Sequence, residues 1–212
     1  ATDDVEWYLE FYCEPKDYFP KKYNTNPVHS EVLEAVGIVP AGKALDLGCG
    51  QGRNALFLAQ HSFDVTAVDQ NELALEILQS IVAEEDLEMP VGLYDINAAA
   101  LTQNYDFIIS TVVLMFLEAD RIPAIIRNMQ EHTNPGGYNL IVCAMDTEDY
   151  PCQMPFSFTF KEGELAEYYK DWELVKYNEN PGHLHRRDEN GHRIQLRFAT
   201  MLAKKNKEKA GC

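Results

Sequence analysis

Apolar positions along this 212-residue chain alternate between two rhythms. Short apolar runs, too short for helices, are separated by longer stretches with helical spacing. Ala44–Leu47 and Asp64–Asp69 read as strands, and Val91–Tyr94 as a weaker third. Tyr105–Thr111 and Tyr138–Ala144 are further buried strands. Arg53–Gln60, Glu72–Glu85 and Glu118–His132 read as the helices between them, the second with Leu73, Ile77 and Ile81 as its apolar stripe. Asn26-Pro27 reads as the start of an earlier helix running to Val36, where Gly37 ends it. Residues 1–25 show no clean period. Asn134-Pro135-Gly136-Gly137 is a turn by composition, and Lys161–Lys170 is helical. Trp172–Asn178 and Arg193–Ala203 are strands without a long helix between them, so they should pair antiparallel at a sheet edge. The pattern predicts an α/β fold: a seven-stranded, mostly parallel sheet with an antiparallel strand at one edge and helices on both faces.

Candidate chemistry sits where the first strand ends. Leu45-Asp46-Leu47-Gly48-Cys49-Gly50-Gln51-Gly52 runs from strand through alternating glycines into the helix that opens at Arg53. This is the setting of a nucleoside-binding loop, where glycine lets backbone touch the ligand. The spacing is Gly-x-Gly-x-Gly, with Arg53 next, not the Gly-x-Gly-x-x-Gly that seats a pyrophosphate. Asp46 would repel phosphate and hold an ammonium. S-adenosylmethionine has adenosine, an amino-acid end and no phosphate, and it fits. Asp69, which ends the second strand, is placed for ribose hydroxyls, with Gln70 beside it. Asp95 could accept from the adenine amino group while Ile96 covers the ring. Ser110, Thr111 and Val112 should floor the pocket, since ligands of such sheets bind outside the carboxyl ends of the strands.

Charge narrows the partners. A formal net charge of -16 opposes nucleic acid and anionic membrane. No apolar run approaches the ~20 residues of a bilayer span, and no signal peptide is visible. Five cysteines without paired spacing suggest neither a disulfide framework nor a zinc site, and point to a reduced, cytoplasmic protein. Cys49 reads as a small filler of the loop. No metal is expected.

The glycine loop, Asp69, Asp95 and the Pro135-Gly136-Gly137 turn resemble those of the Rossmann-like class I S-adenosylmethionine-dependent methyltransferases. Longer runs resemble the tellurite-resistance methyltransferases within that class. These are His29–Val36, Ser110–Glu118, Pro135–Val142, Phe160–Leu165, Leu184-His185-Arg186 and Arg197–Ala203. The resemblance implies methylation of tellurite, and of selenium oxyanions, with S-adenosyl-L-homocysteine as product. It carries a substrate or catalytic role to His185, Arg186 and Arg193, and matches Arg53-Asn54 to the residues after the family's glycine loop. It covers about residues 18–205, leaving 1–17 as an extension or the remnant of a preceding domain and 206–212 as a disordered tail. Homodimerisation is left open.

The residues support an oxyanion site independently. His183-Leu184-His185-Arg186-Arg187, His192-Arg193 and Arg197 form the conspicuous basic segment of an acidic chain, and guanidinium groups offer paired donors in a plane. Asn190-Gly191 signals a two-residue hairpin turn. Pairing about it puts Arg186, Arg193 and Arg197 on one face and His185 on the other, unless a bulge intervenes. Two other readings share the cofactor residues: a methyltransferase for a thiol or thiopurine, and a non-catalytic S-adenosylmethionine-binding module.

Overall fold

The computed structural model describes residues 13–207, which form two compact units, one through Asp95 and the other from Ile96. In the first unit, helices α1 (Pro15–Tyr23) and α2 (Ser30–Ala35) precede strand β1 (Lys43–Leu47) and helix α3 (Arg53–Gln60). Strand β2 (Asp64–Asp69), helix α4 (Glu72–Glu84) and strand β3 (Val91–Leu93) complete it. β2 lies between β1 and β3 and pairs parallel with both, Asp46 opposite Ala67 and Asp69 opposite Leu93.

α1 was not legible in the sequence. Pro15 starts it and Asn24, at φ 57°, stops it. Lys22 and the Tyr18 hydroxyl both reach Glu85, at 3.5 and 3.3 Å. The expected helix start at Asn26-Pro27 is displaced to Ser30. The His29 backbone N–H donates to Asn54 Oδ1 at 2.9 Å, and His29 becomes the N-cap, its Nδ1 accepting from Glu31 N at 3.1 Å. α4 also turns a different face inward. Ala74, Leu75, Leu78 and Ile81 are buried, whereas Leu73 is 73% and Ile77 44% exposed. Both stripes are apolar at helical spacing, and only contact with the sheet selects between them.

In the second unit β4 (Tyr105–Thr111) and β5 (Thr133–Ala144) pair parallel, joined through helix α5 (Ile122–Glu131). Pro123 falls in the first turn of α5, behind a short 3₁₀ turn at Ala119–Arg121, where its missing N–H costs nothing. Helix α6 (Glu164–Tyr168) is shorter than expected, because Gly163 at φ 72° begins it. The chain then makes β6 (Glu173–Asn178), β7 (Pro181–Arg187) and β8 (Arg193–Lys204). The C-terminal half of β8 lies between β5 and β6, antiparallel to both. Its N-terminal half pairs with β7, a strand beyond the seven anticipated.

Two expectations are corrected at the start of β5. Asn134–Gly137 is the bulged beginning of that strand, not a free turn: Gly136 N donates to Lys205 O and Lys205 N to Gly137 O. Asn206, expected to open the disordered tail, is therefore attached together with Lys205. Lys205 Nζ donates to Gln130 O and Thr133 O, each at 2.8 Å, and Asn206 Nδ2 to Asp171 O at 2.7 Å. Residues 1–12 and 208–212 lie outside the described structure.

One buried polar network braces this unit. The Tyr169 hydroxyl donates to Asn139 Oδ1 at 2.7 Å, Asn139 Nδ2 donates to Thr133 Oγ1 at 2.8 Å, and Thr133 Oγ1 donates to Met129 O at 2.7 Å. Asn139 and Tyr169 are both fully buried. Asn139→Leu strands the Tyr169 hydroxyl at a cost of about 1–3 kcal/mol. A melting temperature lower by roughly 2–10 °C is expected at this size, and an unchanged melt in calorimetry would show that the network carries no weight.

Candidate active site

The glycine loop is built from backbone strain that only glycine relieves. Gly48, Gly50 and Gly52 stand at φ 92°, 54° and 92°. Gly48 N and Cys49 N both donate to Val68 O at 2.9 Å, which ties the loop to the end of β2. A Cβ on Gly52 would lie 2.4 Å from Leu78 Cδ1, whereas one on Gly50 would meet nothing within 4 Å. Gly52 is thus glycine for packing. Gly50 leaves open space beside the backbone, where a ligand could approach. Burial pushes the Cys49 thiol up and keeps it protonated, so it fills the loop and is no nucleophile.

Asp46 is 2% exposed, and its Oδ2 has no hydrogen-bond partner among the described residues. Burial raises its pKa to about 7; Arg53 and a backbone hydrogen bond from Ala55 pull it down, and Asp69 pushes it up. A buried acceptor atom left unpaired is costly, and a ligand ammonium would satisfy it. Together with the open face of Gly50, this fits the amino-acid end of S-adenosylmethionine. Arg53 is half-buried, held down by desolvation and supported by Asp46, with Nη1 3.5 Å from Pro27 O.

Asp69 does more than the sequence suggested. Its Oδ2 accepts from Gly50 N at 2.7 Å and its Oδ1 from Asn71 N at 3.0 Å, so the carboxylate expected to meet ribose clamps the loop. Asn54 is buried and spends its Oδ1 on His29 N. His29 itself was missed. It is held deprotonated by burial and by the nearby Arg53, and only proximity in the fold, not sequence spacing, reveals it. Gln70 and Asp95 are exposed on the loops after β2 and β3.

In the second unit Ile96 is 3% exposed and starts a 3₁₀ turn whose carbonyls, Asn97 O and Ala98 O, accept from Arg121. Ser110 and Thr111 end β4, both buried, and Ser110 Oγ has no partner among the described residues. Val112 follows at φ 56°, a strained conformation for a β-branched residue, fixed by its N–H to Val142 O at 2.7 Å.

The basic segment forms an open cleft of about 1030 Å³. From the β7–β8 hairpin, His183, Arg186, Arg187, His192 and Arg193 line it together with the acids Asp188 and Glu189; from the segment after β5 come Pro151, Gln153, Met154 and Pro155. The two-residue turn is corrected. Residues 188–192 form the connection, closed by Asp188 N to His192 O at 2.7 Å, with Asp188 Oδ1 accepting from Asn190 N and His192 N. Arg187 consequently sits opposite Arg193, and a register shift lies between His183 and Arg187. Arg186 and Arg193 share the cleft, as expected, and Arg187 joins them there. His185 is not among the lining residues. Arg197 leaves the group altogether: Asp149 binds it bidentately. The side chains of Arg186 and Arg193 make no hydrogen bond or ion pair with any described residue.

Glycine loop, paired strand-end acids and antiparallel edge together define the α/β class I methyltransferase fold, and comparison with known proteins agrees. A family profile described as "Tellurite resistance protein TehB" matches residues 11–202. The chain is 58% identical, over 96% of its length and 71% of the other's, to the "Probable S-adenosyl-L-methionine-dependent methyltransferase TehB" of Haemophilus influenzae. It is equally similar to "Hemagglutinin 1" of Eikenella corrodens, over 96% and 68% of the two chains. The crystal structure of TehB from Haemophilus influenzae superposes with a TM-score of 0.89, covering 92% of this chain and 68% of that one. YcgJ of Bacillus, at 13% identity and a TM-score of 0.66, shares the fold alone. The chain belongs to the TehB family of S-adenosyl-L-methionine-dependent methyltransferases. Among the described residues no helix is long and apolar enough to cross a membrane.

Proposed function

We propose that the enzyme methylates tellurite, and selenium oxyanions, at the cleft between the β7–β8 hairpin and residues 151–155. The observation that carries this reading is the pair Arg186 and Arg193: two guanidinium groups on one cleft, unpaired with any described residue, in a chain of net charge -16. Asp188 and Glu189 line the same cleft, and the Oδ1 of Asp188 accepts from backbone N–H groups. Planar paired donors suit a small oxyanion. The cofactor, when bound, supplies a methyl group already activated by its sulfonium. The protein therefore has to place the acceptor and exclude water, not activate it. Tellurium(IV) and selenium(IV) carry the lone pair that forms the new bond to carbon, and the departing sulfur keeps the electrons of the broken one. Asp46 holds the ammonium, Asp69 and the glycine loop hold the nucleoside, and Asn54 fixes the segment that starts α2. His185 precedes Arg186 on β7, outside the lining of the cleft, and serves by positioning Arg186. The net charge disfavours nucleic acid and anionic bilayer as partners, and the four described cysteines, all free, suit the reducing cytoplasm.

Turnover of tellurite, selenite and an aryl thiol with S-adenosylmethionine, with volatile products trapped, tests the reading. Arg186→Ala and Arg193→Ala are each expected to lower kcat/KM for tellurite by roughly 10- to 100-fold while cofactor affinity stays level. Normal turnover in both variants would make the hairpin mere surface. Preference for the thiol would move the protein to another acceptor class.

A further inference from the structure

Arg197 reads in the sequence as one more cation of the substrate segment. Its geometry is different. Nε lies 3.1 and 3.0 Å from the two carboxylate oxygens of Asp149, and Nη2 lies 2.6 Å from Oδ2. Nη1 donates to Glu179 O at 2.8 Å, and the guanidinium lies over the Tyr150 ring, 5.2 Å from its centroid. Its backbone O accepts from Met145 N at 2.9 Å. One residue thus fixes both the departure of the 145–155 segment from β5 and the tip of that segment.

We propose that Arg197 is a positioning residue that sets the second wall of the oxyanion cleft, by holding Asp149–Pro155 against the β7–β8 hairpin. The inference rests on reading that cleft as the acceptor site. The segment is stiff enough to transmit the contact. Thr147 Oγ1 donates to Asp149 Oδ1 at 2.7 Å, Cys152 N donates to Asp146 Oδ1 at 2.8 Å, and Pro151 and Pro155 restrict the backbone. Pro151, Gln153, Met154 and Pro155 are the residues it presents to the cleft. On the other side, Arg193 stands four residues from Arg197 on β8, hence on the same strand face and roughly 13 Å along it. A single strand therefore carries the arginine that meets the substrate and the arginine that holds the opposite wall. Asp149 also neutralises Arg197, so the wall brings no competing cation. Arg197 and Thr147 hold the Asp149 carboxyl at about 2, which keeps the pair ionised across the working pH range.

The Asp149 side chain is half-exposed, at 51%, and ion pairs of that kind add little to global stability. The loss should therefore appear in substrate binding rather than in the melt. Arg197→Ala, Arg197→Lys and Asp149→Ala are compared with wild type and with Arg186→Ala, varying tellurite at saturating cofactor. Arg197→Ala and Asp149→Ala are expected to raise KM for tellurite about tenfold with kcat nearly unchanged, and Arg197→Lys by less, since it keeps charge but not the fork. Cofactor affinity by calorimetry should not move, and amide exchange over residues 147–155 should quicken. An unchanged KM beside a raised KM in Arg186→Ala overturns this inference alone. So does a parallel loss of kcat, cofactor affinity and melting temperature, which marks a merely structural residue. Absence of tellurite turnover in wild type overturns the acceptor reading, and the inference with it.

Discussion

Gly52→Ala is expected to cost about 2–5 kcal/mol of stability, and Gly50→Ala only about 1, although both glycines belong to one loop and both sit at positive φ. At either position an L side chain in the left-handed region costs roughly 1–2 kcal/mol. At Gly52 a packing clash adds to it: the new methyl would lie 2.4 Å from Leu78 Cδ1, and Leu78 is fully buried in α4. Overpacking of that sort costs typically 1–3 kcal/mol. For a chain of this size the melting temperature should fall by roughly 5–20 °C. Gly50 has no neighbour for its Cβ, so its alanine variant should fold. That methyl would stand where a nucleoside approaches the backbone, and cofactor affinity should drop by tenfold or more. Thermal melts with and without S-adenosylmethionine separate the two. A cofactor-induced rise in melting temperature that survives in Gly50→Ala would show that the ligand does not use this face. A normal melt for Gly52→Ala would show that Leu78 gives way.

What the sequence made legible is what is encoded within a few residues. The strand and helix rhythms, the glycine loop, and the acids Asp46 and Asp69 are local signals, and each element they predict is present in the structure. The failures have a common physical form. His29 and Asn54 are 25 positions apart, and Arg197 and Asp149 are 48 apart. No periodicity relates them, and each changes what its neighbours can do. The first bond moves the start of α2. The second pairs off an arginine that the sequence groups with Arg186 and Arg193. The face chosen by α4 was undecidable locally because Leu73/Ile77 and Leu75/Leu78 are both apolar stripes. The hairpin failed for a subtler reason. Asn190-Gly191 is a strong turn signal, but Asp188 supplies a carboxylate that accepts from two backbone N–H groups in the loop. The wider loop then wins, and the register shift follows from it. In the observed register Arg187, not Asp188, stands opposite Arg193, and Arg187 lines the cleft together with Arg186 and Arg193.

Asp46→Asn is expected to weaken S-adenosylmethionine binding roughly 10- to 150-fold, the range of a charge-assisted hydrogen bond worth about 1.5–3 kcal/mol. The same substitution should stabilise the protein free of cofactor. Burial raises the wild-type carboxyl to about 7, against an unfolded value near 3.8, with Arg53 and the Ala55 N–H opposing and Asp69 reinforcing the rise. The folded state therefore holds a proton that the unfolded chain releases. The associated stability is fully present below the unfolded pKa, declines as pH rises toward 7, and is flat above it. Asparagine mimics the protonated form at every pH, so the variant should exceed wild type above pH 7 by as much as about 4 kcal/mol. Binding runs the opposite way. An ammonium needs the carboxylate, so wild-type affinity should fall about tenfold per pH unit below 7 and level off above it, while the variant stays flat. Calorimetry at several pH values, in buffers of different ionisation enthalpy, reads both the affinity and the proton released on binding. Wild-type affinity independent of pH, with no proton released, would mean that Asp46 does not face the positive end of the methyl donor, and the loop would then have to be read as a structural turn.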